Sequence, residues 1–148
     1  MQELLEQLPY SRPFLFVDEI LQVSDNNIEG IYTFSPDLFF YKGHFKENPV
    51  TPGVIITECM AQIGLVCLGI YLSNKQSSLR SEAKIAMTST DIEFLKPVFP
   101  GEKVRVCSEK QYFRFNKLKC KVEMYNCENI IVAKGTIAGM IIKDNSRI

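Results

Sequence analysis

One histidine and one glutamate mark the part of this sequence that is best equipped for chemistry. His44 is the only histidine among the 148 residues, and Glu58 interrupts an apolar run fourteen positions later, with Pro52 and Gly53 between them. Imidazole can act as a base near neutral pH, a carboxyl group in apolar surroundings can keep its proton, and a glycine N–H can approach and polarise a carbonyl oxygen. This spacing predicts proton-transfer chemistry beside a carbonyl group.

Each of these residues also has a simpler structural interpretation. A lone loop histidine is more often hydrogen-bonded or solvated than catalytic, and a carboxylate near a helix start is favoured by the helix dipole. Pro52-Gly53 also suits a tight turn into a helix. Gln62, four residues after Glu58, shares its helical face and can orient the carboxyl group as a positioning residue. Local sequence leaves both interpretations open for Glu58 and for Gly53.

The composition bounds the remaining possibilities. With 46% hydrophobic content, the chain suits one domain over residues 1–148 with its own core. Seventeen basic and seventeen acidic residues cancel, which argues against a nucleic-acid partner. Five cysteines without a C-x-x-C pair, beside a single histidine, predict reduced packing residues and no metal site. The amino-terminal residues lack the pattern of a secretion signal, so we expect a cytoplasmic protein.

The chain divides into a short helix, several strands, one long loop and one long helix. The short helix is predicted at about residues 2–7, where leucines recur at helical spacing. Residues 35–53 form a loop rich in proline, glycine and aromatic residues, and loops of this length are often functional. A polar loop is expected over residues 73–81. Strands are predicted over residues 14–23, 28–34, 82–87, 91–94, 103–115, 117–126 and 130–142.

The long helix is predicted over Val54–Leu72, is apolar on nearly every face and would run about 28 Å. Such a helix either crosses a membrane or is enclosed by its own protein. Because Glu58 and Gln62 would be costly in lipid, we expect a central buried helix and no membrane span. The predicted fold class is α+β, with a curved antiparallel sheet of about five or six strands around this helix. One sheet hardly encloses so apolar a helix, which predicts a homodimer.

Five segments, in order along the chain, resemble the 3-hydroxyacyl-[acyl-carrier-protein] dehydratases, the FabZ-like proteins of fatty-acid synthesis that have a hot-dog fold. The segments are Arg12–Asp18, Gly43–Phe45, Pro52–Val54, Glu58–Gln62 and Asp91–Glu102. The resemblance implies the hot-dog fold. It also implies dehydration of a (3R)-3-hydroxyacyl thioester to the trans-2-enoyl thioester, in the synthesis of fatty acids or of related lipids and polyenes.

The resemblance further implies roles for individual residues. His44 corresponds to the family's base, Gly53 to the N–H that polarises the thioester carbonyl, and Glu58 to an acid supplied by the other subunit of a dimer. A glutamate in place of an aspartate indicates a dehydratase without double-bond isomerase activity. The residues expected to contact the substrate are Phe45, Pro52 and Val54.

The implied partner is acyl carrier protein, and the implied assembly is a homodimer or a trimer of dimers. No cofactor is implied, because the phosphopantetheine arm arrives attached to the carrier. The carrier is acidic, so we expect a local basic rim around the site. Candidates for this rim are Lys42, Lys46, Lys96, Lys103 and Arg105.

The sequence departs from the family pattern at three places. Tyr10 stands where the family often has histidine, and Thr51 stands where an apolar residue is usual. Lys46-Glu47-Asn48 replaces a turn that more commonly contains proline and glycine. Two other functions stay open on the sequence: a hot-dog acyl thioesterase in which Glu58 activates water, and a non-catalytic subunit that binds acyl carrier protein in a hetero-oligomer.

Overall fold

The apolar run forms one continuous helix that extends beyond its predicted end. The computed structural model describes residues 1–76 and 84–142. Helix α1 spans Gln2–Glu6 and helix α2 spans Gly53–Gln76, with its central turns, Gln62–Cys67, wound as a π-helix. We predicted a loop from residue 73, but residues 73–76 continue the helix, where Asn74 Nδ2 donates to Gln7 Oε1 at 3.1 Å. Residues 77–81 of that predicted loop lie outside the described residues.

Helix α2 belongs to the core of the protein. It is the one helix in the described part of the chain with the length and composition to cross a membrane, but 78% of its most apolar window is buried inside the protein. Most of this helix is therefore enclosed by the protein itself. The prediction of a central buried helix is confirmed.

Six strands form one antiparallel sheet in the order β1-β2-β4-β5-β6-β3, which confirms the predicted fold class and strand count. The strands are β1 Glu19–Val23, β2 Asn27–Thr33, β3 Lys84–Phe94, β4 Lys103–Arg114, β5 Lys117–Tyr125 and β6 Ile131–Ile142. Helix α2 packs against this curved sheet, so a helix layer and a sheet layer enclose one core.

The first strand begins later than predicted, at Glu19 and not at Phe14. The backbone before it bonds to a helix side chain: Phe16 N–H donates to Gln62 Oε1 at 2.8 Å, and Gln62 Nε2 donates to the Phe14 carbonyl at 3.0 Å. Because buried backbone groups must find partners, this extended segment is held by α2 and does not enter the ladder.

The two strands predicted over residues 82–87 and 91–94 are one strand, β3, whose pairing with β6 shifts register between Met87 and Ser89. The polar residues at 88–90 do not end the strand, because β3 is an edge strand with most side chains exposed, where polar residues are tolerated. Residues 82–83 lie outside the described residues. The loop over residues 35–53 contains one turn of 3-10 helix, Phe39–Lys42.

The helix approaches the middle of the sheet closely because α2 carries a glycine there. A Cβ built on Gly64 would lie 3.0 Å from Ser108 Cβ and 3.0 Å from Val122 Cγ1. Ser108 Oγ donates to the Gly64 carbonyl at 2.8 Å, which satisfies a helix carbonyl in the core. This close contact fixes the height of α2 above β4 and β5.

Candidate active site

His44 lies half-buried in the loop before α2, and the backbone of the same loop holds its ring. Nδ1 lies 2.9 Å from the Val50 carbonyl oxygen, and the Val50 N–H donates to the His44 carbonyl at 2.8 Å. Because a carbonyl oxygen can only accept, Nδ1 carries a proton and Nε2 of the neutral ring keeps its lone pair. The loop therefore gives His44 the tautomer that a general base needs.

Gly53 is the first residue of α2, and Pro52 is its N-cap. The first N–H groups of a helix have no acceptor within the helix, and no other residue of 1–76 or 84–142 accepts a hydrogen bond from Gly53. The Phe94 ring covers this glycine so closely that an added Cβ would lie 3.1 Å from a ring carbon. The N–H lies at the positive end of the helix dipole and is available to an oxygen that gains negative charge.

Glu58 lies half-buried in the second turn of α2, under two opposing influences. Burial raises the pKa of Glu58 above its ordinary value, and a hydrogen bond from Gln62 acts in the lowering direction. That bond joins Gln62 Nε2 to Glu58 Oε2 at 3.0 Å. Gln62 is 0% exposed, and its two other hydrogen bonds hold the segment at residues 14–16. The oxygen and the nitrogen of the Gln62 amide are therefore both held by the backbone of this segment, and the amide in turn holds the Glu58 carboxyl group.

The N–H donor and the carboxyl group of one chain face different sides of α2. Gly53 and Glu58 are five residues apart, which places them about 140° apart around the helix axis. Gln62 holds the Glu58 carboxyl beside Phe14, whereas Gly53 faces Phe94. The two positions are therefore separated around the helix axis.

A cavity of about 350 Å³ opens beside Gly53. Its lining residues are Thr51, Gly53, Ile56, Phe94, Leu95, Lys96 and Pro97. Glu58 is not among them. Two further cavities, of about 330 and 550 Å³, lie elsewhere and include none of the residues predicted for the site. Most of the residues that line this cavity are apolar, and Lys96 is the one lysine among them.

The residues predicted to contact substrate differ in their exposure. Val54 is 77% exposed and Phe45 is 58% exposed, which is unusual for large apolar side chains, and the Phe45 ring stacks on His44 with centroids 4.4 Å apart. Pro52 is buried as the helix N-cap. Two apolar side chains beside the base and the N–H are thus open to a ligand or to a second subunit.

Among the described residues, no group of three or more His, Cys, Asp or Glu side chains is arranged to hold a metal ion. All five cysteines are free thiols, and Cys59, Cys67 and Cys120 are buried.

Solved structures define the fold. A chain of the dehydratase heterocomplex ApeI:P from Xenorhabdus doucetiae superposes with a TM-score of 0.76, at 14% identity over 95% of this chain and 91% of that one. A thioesterase from Haemophilus influenzae superposes with a TM-score of 0.61, at 16% identity over 87% of this chain and 80% of that one. At such identities the likeness establishes the architecture alone, and it is the predicted hot-dog fold.

The family follows from the sequence comparisons. Residues 8–137 match the family model of the FabA-like domain, and the chain belongs to this family. The 3-hydroxyacyl-[acyl-carrier-protein] dehydratase FabZ of Sinorhizobium fredii is 34% identical over 146 residues, which cover 96% of this chain and 89% of the relative. The FabZ of Ehrlichia canis is 31% identical over 148 residues, covering 95% and 94%. The predicted resemblance is confirmed.

Four residues near the site were not assigned a role from sequence. Phe94 covers Gly53, although nothing in its local pattern distinguishes it from a core residue. The buried hydroxyl groups of Tyr41 and Thr51 form a hydrogen bond with each other. The sequence signal for this bond was the polar residue Thr51 before Pro52, where an apolar residue is usual. Tyr10 lies near Glu58: burial first, and then the Glu58 charge, raise the pKa of Tyr10 to about 12.

Proposed function

We propose that His44, Gly53 and Glu58 carry out the dehydration of a (3R)-3-hydroxyacyl thioester borne by acyl carrier protein. The reaction is that of the relatives: the chain is a 3-hydroxyacyl-[acyl-carrier-protein] dehydratase, a hydro-lyase of fatty-acid biosynthesis. The assignment of residues is our own, and the observation that carries it is the His44 ring, whose Nδ1 is bound to Val50 and whose Nε2 is free to take a proton.

The first half of the reaction forms a carbanion-like centre beside the thioester. His44 Nε2 takes the proton from C2, and negative charge grows on the thioester oxygen. The Gly53 N–H donates to that oxygen at the positive end of α2, where donors that are already oriented need no reorganisation as charge develops. The cavity beside Gly53 supplies the apolar surroundings that strengthen this interaction.

The second half expels the 3-hydroxyl group. Protonated Glu58 donates its proton to the departing oxygen, the C3–O bond breaks, and the C2 electron pair forms the C2–C3 double bond with release of water. The raised pKa of Glu58 supports this role, since a carboxyl group that resists ionisation can act as an acid closer to neutral pH. Gln62 acts as the positioning residue for this carboxyl group.

A homodimer completes the proposed site, with Glu58 supplied by the partner protomer. The opposite directions of Gly53 and Glu58 on α2 support this arrangement. So do the long exposed edge strand β3 and the exposed apolar side chains of Val54 and Phe94, because such surfaces are normally covered. A trimer of dimers stays a prediction.

The proposed partner is acyl carrier protein, whose phosphopantetheine arm brings the thioester, so that the enzyme needs no cofactor of its own. Of the rim candidates, Lys42, Lys46, Lys96 and Lys103 are exposed, and Lys96 lines the cavity at Gly53. Arg105 is already paired, with Nη1 2.9 Å from Glu29 Oε1, and contributes less to such a rim.

We place this single-domain protein in the cytoplasm, which an exposed free thiol at Cys127 supports, since thiols persist in reducing compartments.

The test compares the wild-type protein with His44→Ala on carrier-bound 3-hydroxyacyl substrates of several chain lengths. We expect the absorbance of the conjugated enoyl thioester to rise with the wild type, and kcat to fall on the order of 10²–10⁴-fold in the variant because the base is lost. Circular dichroism checks that the variant is folded. Turnover equal to that of the wild type would remove His44 from the mechanism.

The same assay separates the two alternatives. Release of free thiol without enoyl absorbance would indicate a thioesterase, and activity only after addition of a homologous subunit would indicate a partner in a hetero-oligomer. The likeness to the thioesterases among the structural neighbours establishes only the shared fold, and it does not favour thioesterase activity.

A further inference from the structure

Two hydroxyl groups form a buried hydrogen bond beneath the His44 loop. Tyr41 Oη lies 2.6 Å from Thr51 Oγ1, and the two residues are 5% and 4% exposed. A bond of this length between buried groups is well formed, and each hydroxyl would lose its partner if the other were removed. No other side chain in the described part of the chain bonds either hydroxyl, so each hydroxyl relies on the other as its side-chain hydrogen-bond partner.

The pair joins the two ends of the segment that carries the base. Tyr41 lies three residues before His44, and Thr51 directly follows Val50, whose carbonyl accepts from Nδ1. Thr51 N–H donates to the Val98 carbonyl at 2.9 Å, which anchors this end of the loop to the chain before β4. The distance from the Val50 carbonyl to the imidazole is therefore set by a loop that is closed at Tyr41 and fixed at Thr51.

The pair also stands at the start of α2. Thr51 precedes the N-cap Pro52, lines the cavity beside Gly53, and is two residues from the N–H that faces the thioester oxygen. A shift of Thr51 is transmitted along Pro52, whose φ is restricted by its ring, to the direction of that N–H.

The Tyr41 phenol stays protonated at pH values near neutral and can take part in the hydrogen bond with Thr51. Burial is the main cause that raises the pKa of Tyr41, the bond to Thr51 acts to lower it, and the Glu102 charge adds to the rise. Glu102 Oε2 is itself buried without a hydrogen-bond partner among the described residues, so a second negative charge at Tyr41 would be poorly accommodated.

We propose that the Tyr41–Thr51 hydrogen bond positions both His44 and Gly53 for dehydration. The pair holds the Val50 carbonyl where it selects the His44 tautomer, and it holds the helix start where the Gly53 N–H meets the substrate. Tyr41 and Thr51 are positioning residues and touch no reacting atom. This inference rests on the proposed roles of His44 and Gly53.

The test uses Tyr41→Phe and Thr51→Val, which remove one hydroxyl each with little change of shape, and the double variant. We expect kcat to fall about tenfold to a hundredfold in each single variant with KM nearly unchanged, because a misplaced base costs rate more than binding. The double variant should lose no more than either single variant, since both remove the same bond. Thr51→Ser keeps the hydroxyl and should restore most of the rate.

The matched control is Ser108→Ala, which removes another buried hydroxyl that makes one hydrogen bond, on the sheet side of α2. It lowers stability by the same kind of loss and is expected to leave kcat unchanged. A fall in kcat of equal size in Ser108→Ala and in Tyr41→Phe would assign the effect to general loosening and overturn the proposal.

A second measurement does not depend on activity. His44 is the only histidine, so the ¹⁵N spectrum of its ring is unambiguous. We expect the wild type to show the tautomer protonated at Nδ1, and Tyr41→Phe and Thr51→Val to show a mixture. An Nδ1 without a proton in the neutral wild type, or an unchanged tautomer in both variants, would overturn the proposal. The expected tautomer change in the two variants, together with no dehydration by the wild type, would instead refute the proposed function.

Discussion

At the scale of single residues, Glu58 illustrates how burial and a hydrogen bond compete at one carboxyl group. Burial favours the neutral form and Gln62 favours the charged form, and the pKa of Glu58 remains above its ordinary value of 4.5. The folded protein therefore holds a proton on Glu58 at pH values where the unfolded chain has lost it. Stability contributed in this way is full below the ordinary pKa and falls as pH rises through the raised one.

Glu58→Gln tests this linkage. The amide cannot ionise, so the free energy of unfolding of the variant, relative to the wild type, should rise as pH increases from about 4 to about 7. Urea unfolding at several pH values measures the difference. The control is Glu93→Gln, at an exposed position of β3, where we expect no such trend. A difference that stays constant with pH for Glu58→Gln would contradict the argument.

Gln62 was predicted as a positioning residue from its spacing alone, and the structure gives it a larger task. Its side chain forms hydrogen bonds with the Glu58 carboxyl group, with the Phe16 N–H and with the Phe14 carbonyl in the segment before β1. Gln62→Leu would leave the Phe16 N–H and the Phe14 carbonyl buried without partners. We expect a loss of about 2–5 kcal/mol in the free energy of unfolding. Gln22→Leu, at an exposed position with one surface hydrogen bond, should change it by less than about 0.5 kcal/mol.

At the scale of elements, the pairing of β3 with β6 depends on a glycine that faces the β3 backbone. A Cβ built on Gly135 would lie 1.9 Å from the Asp91 carbonyl oxygen, and backbone atoms on both strands would have to move. Because β3 carries Phe94, whose ring covers Gly53, a displaced β3 would also change the cavity at the helix start.

Gly135→Ala should therefore destabilise the protein by about 3 kcal/mol or more, beyond the usual cost of overpacking. Thermal or urea unfolding gives the value. Gly43→Ala is the matched control, because an added Cβ there meets no atom within 4 Å, and its φ of −113° suits alanine. We expect Gly43→Ala to leave stability unchanged or slightly higher. Equal effects of the two substitutions would show that the close approach at Gly135 is relieved at little cost.

At the scale of the whole molecule, the site is divided between the two sides of one helix. The N–H of Gly53 and the carboxyl group of Glu58 leave α2 in different directions, and the cavity at Gly53 does not include Glu58. In the arrangement we propose, a second protomer supplies the acid, and it would also cover Val54 and the edge of β3.

Mixing two inactive variants tests the shared site. His44→Ala and Glu58→Gln are each expected to be nearly inactive, but a mixed dimer would contain one site with both native groups. After unfolding and refolding together, random pairing should restore activity to about a quarter of that of the wild type. Each variant refolded alone is the control. No recovery in a mixture that does form mixed dimers would place both groups of each site in one chain.

The sequence by itself determined the parts with a local signal. The apolar run predicted α2, and the period-two pattern predicted seven strand segments, two of which form the single strand β3. Burial acts here on neighbouring residues at a fixed spacing. The same reading identified the residue types of the candidate site, since His44, Gly53, Glu58 and Gln62 lie within one short segment.

Only the tertiary structure decided how these groups are oriented. The hydrogen bonds between Gln62 and the backbone of Phe14 and Phe16 join residues more than forty positions apart. Because of these bonds, β1 begins later than the local pattern predicted. The His44 tautomer and the Tyr41–Thr51 bond depend on how a loop closes over α2. Such contacts form between segments that no local pattern relates, because a hydrogen bond is set by distance and angle in space and not by spacing along the chain.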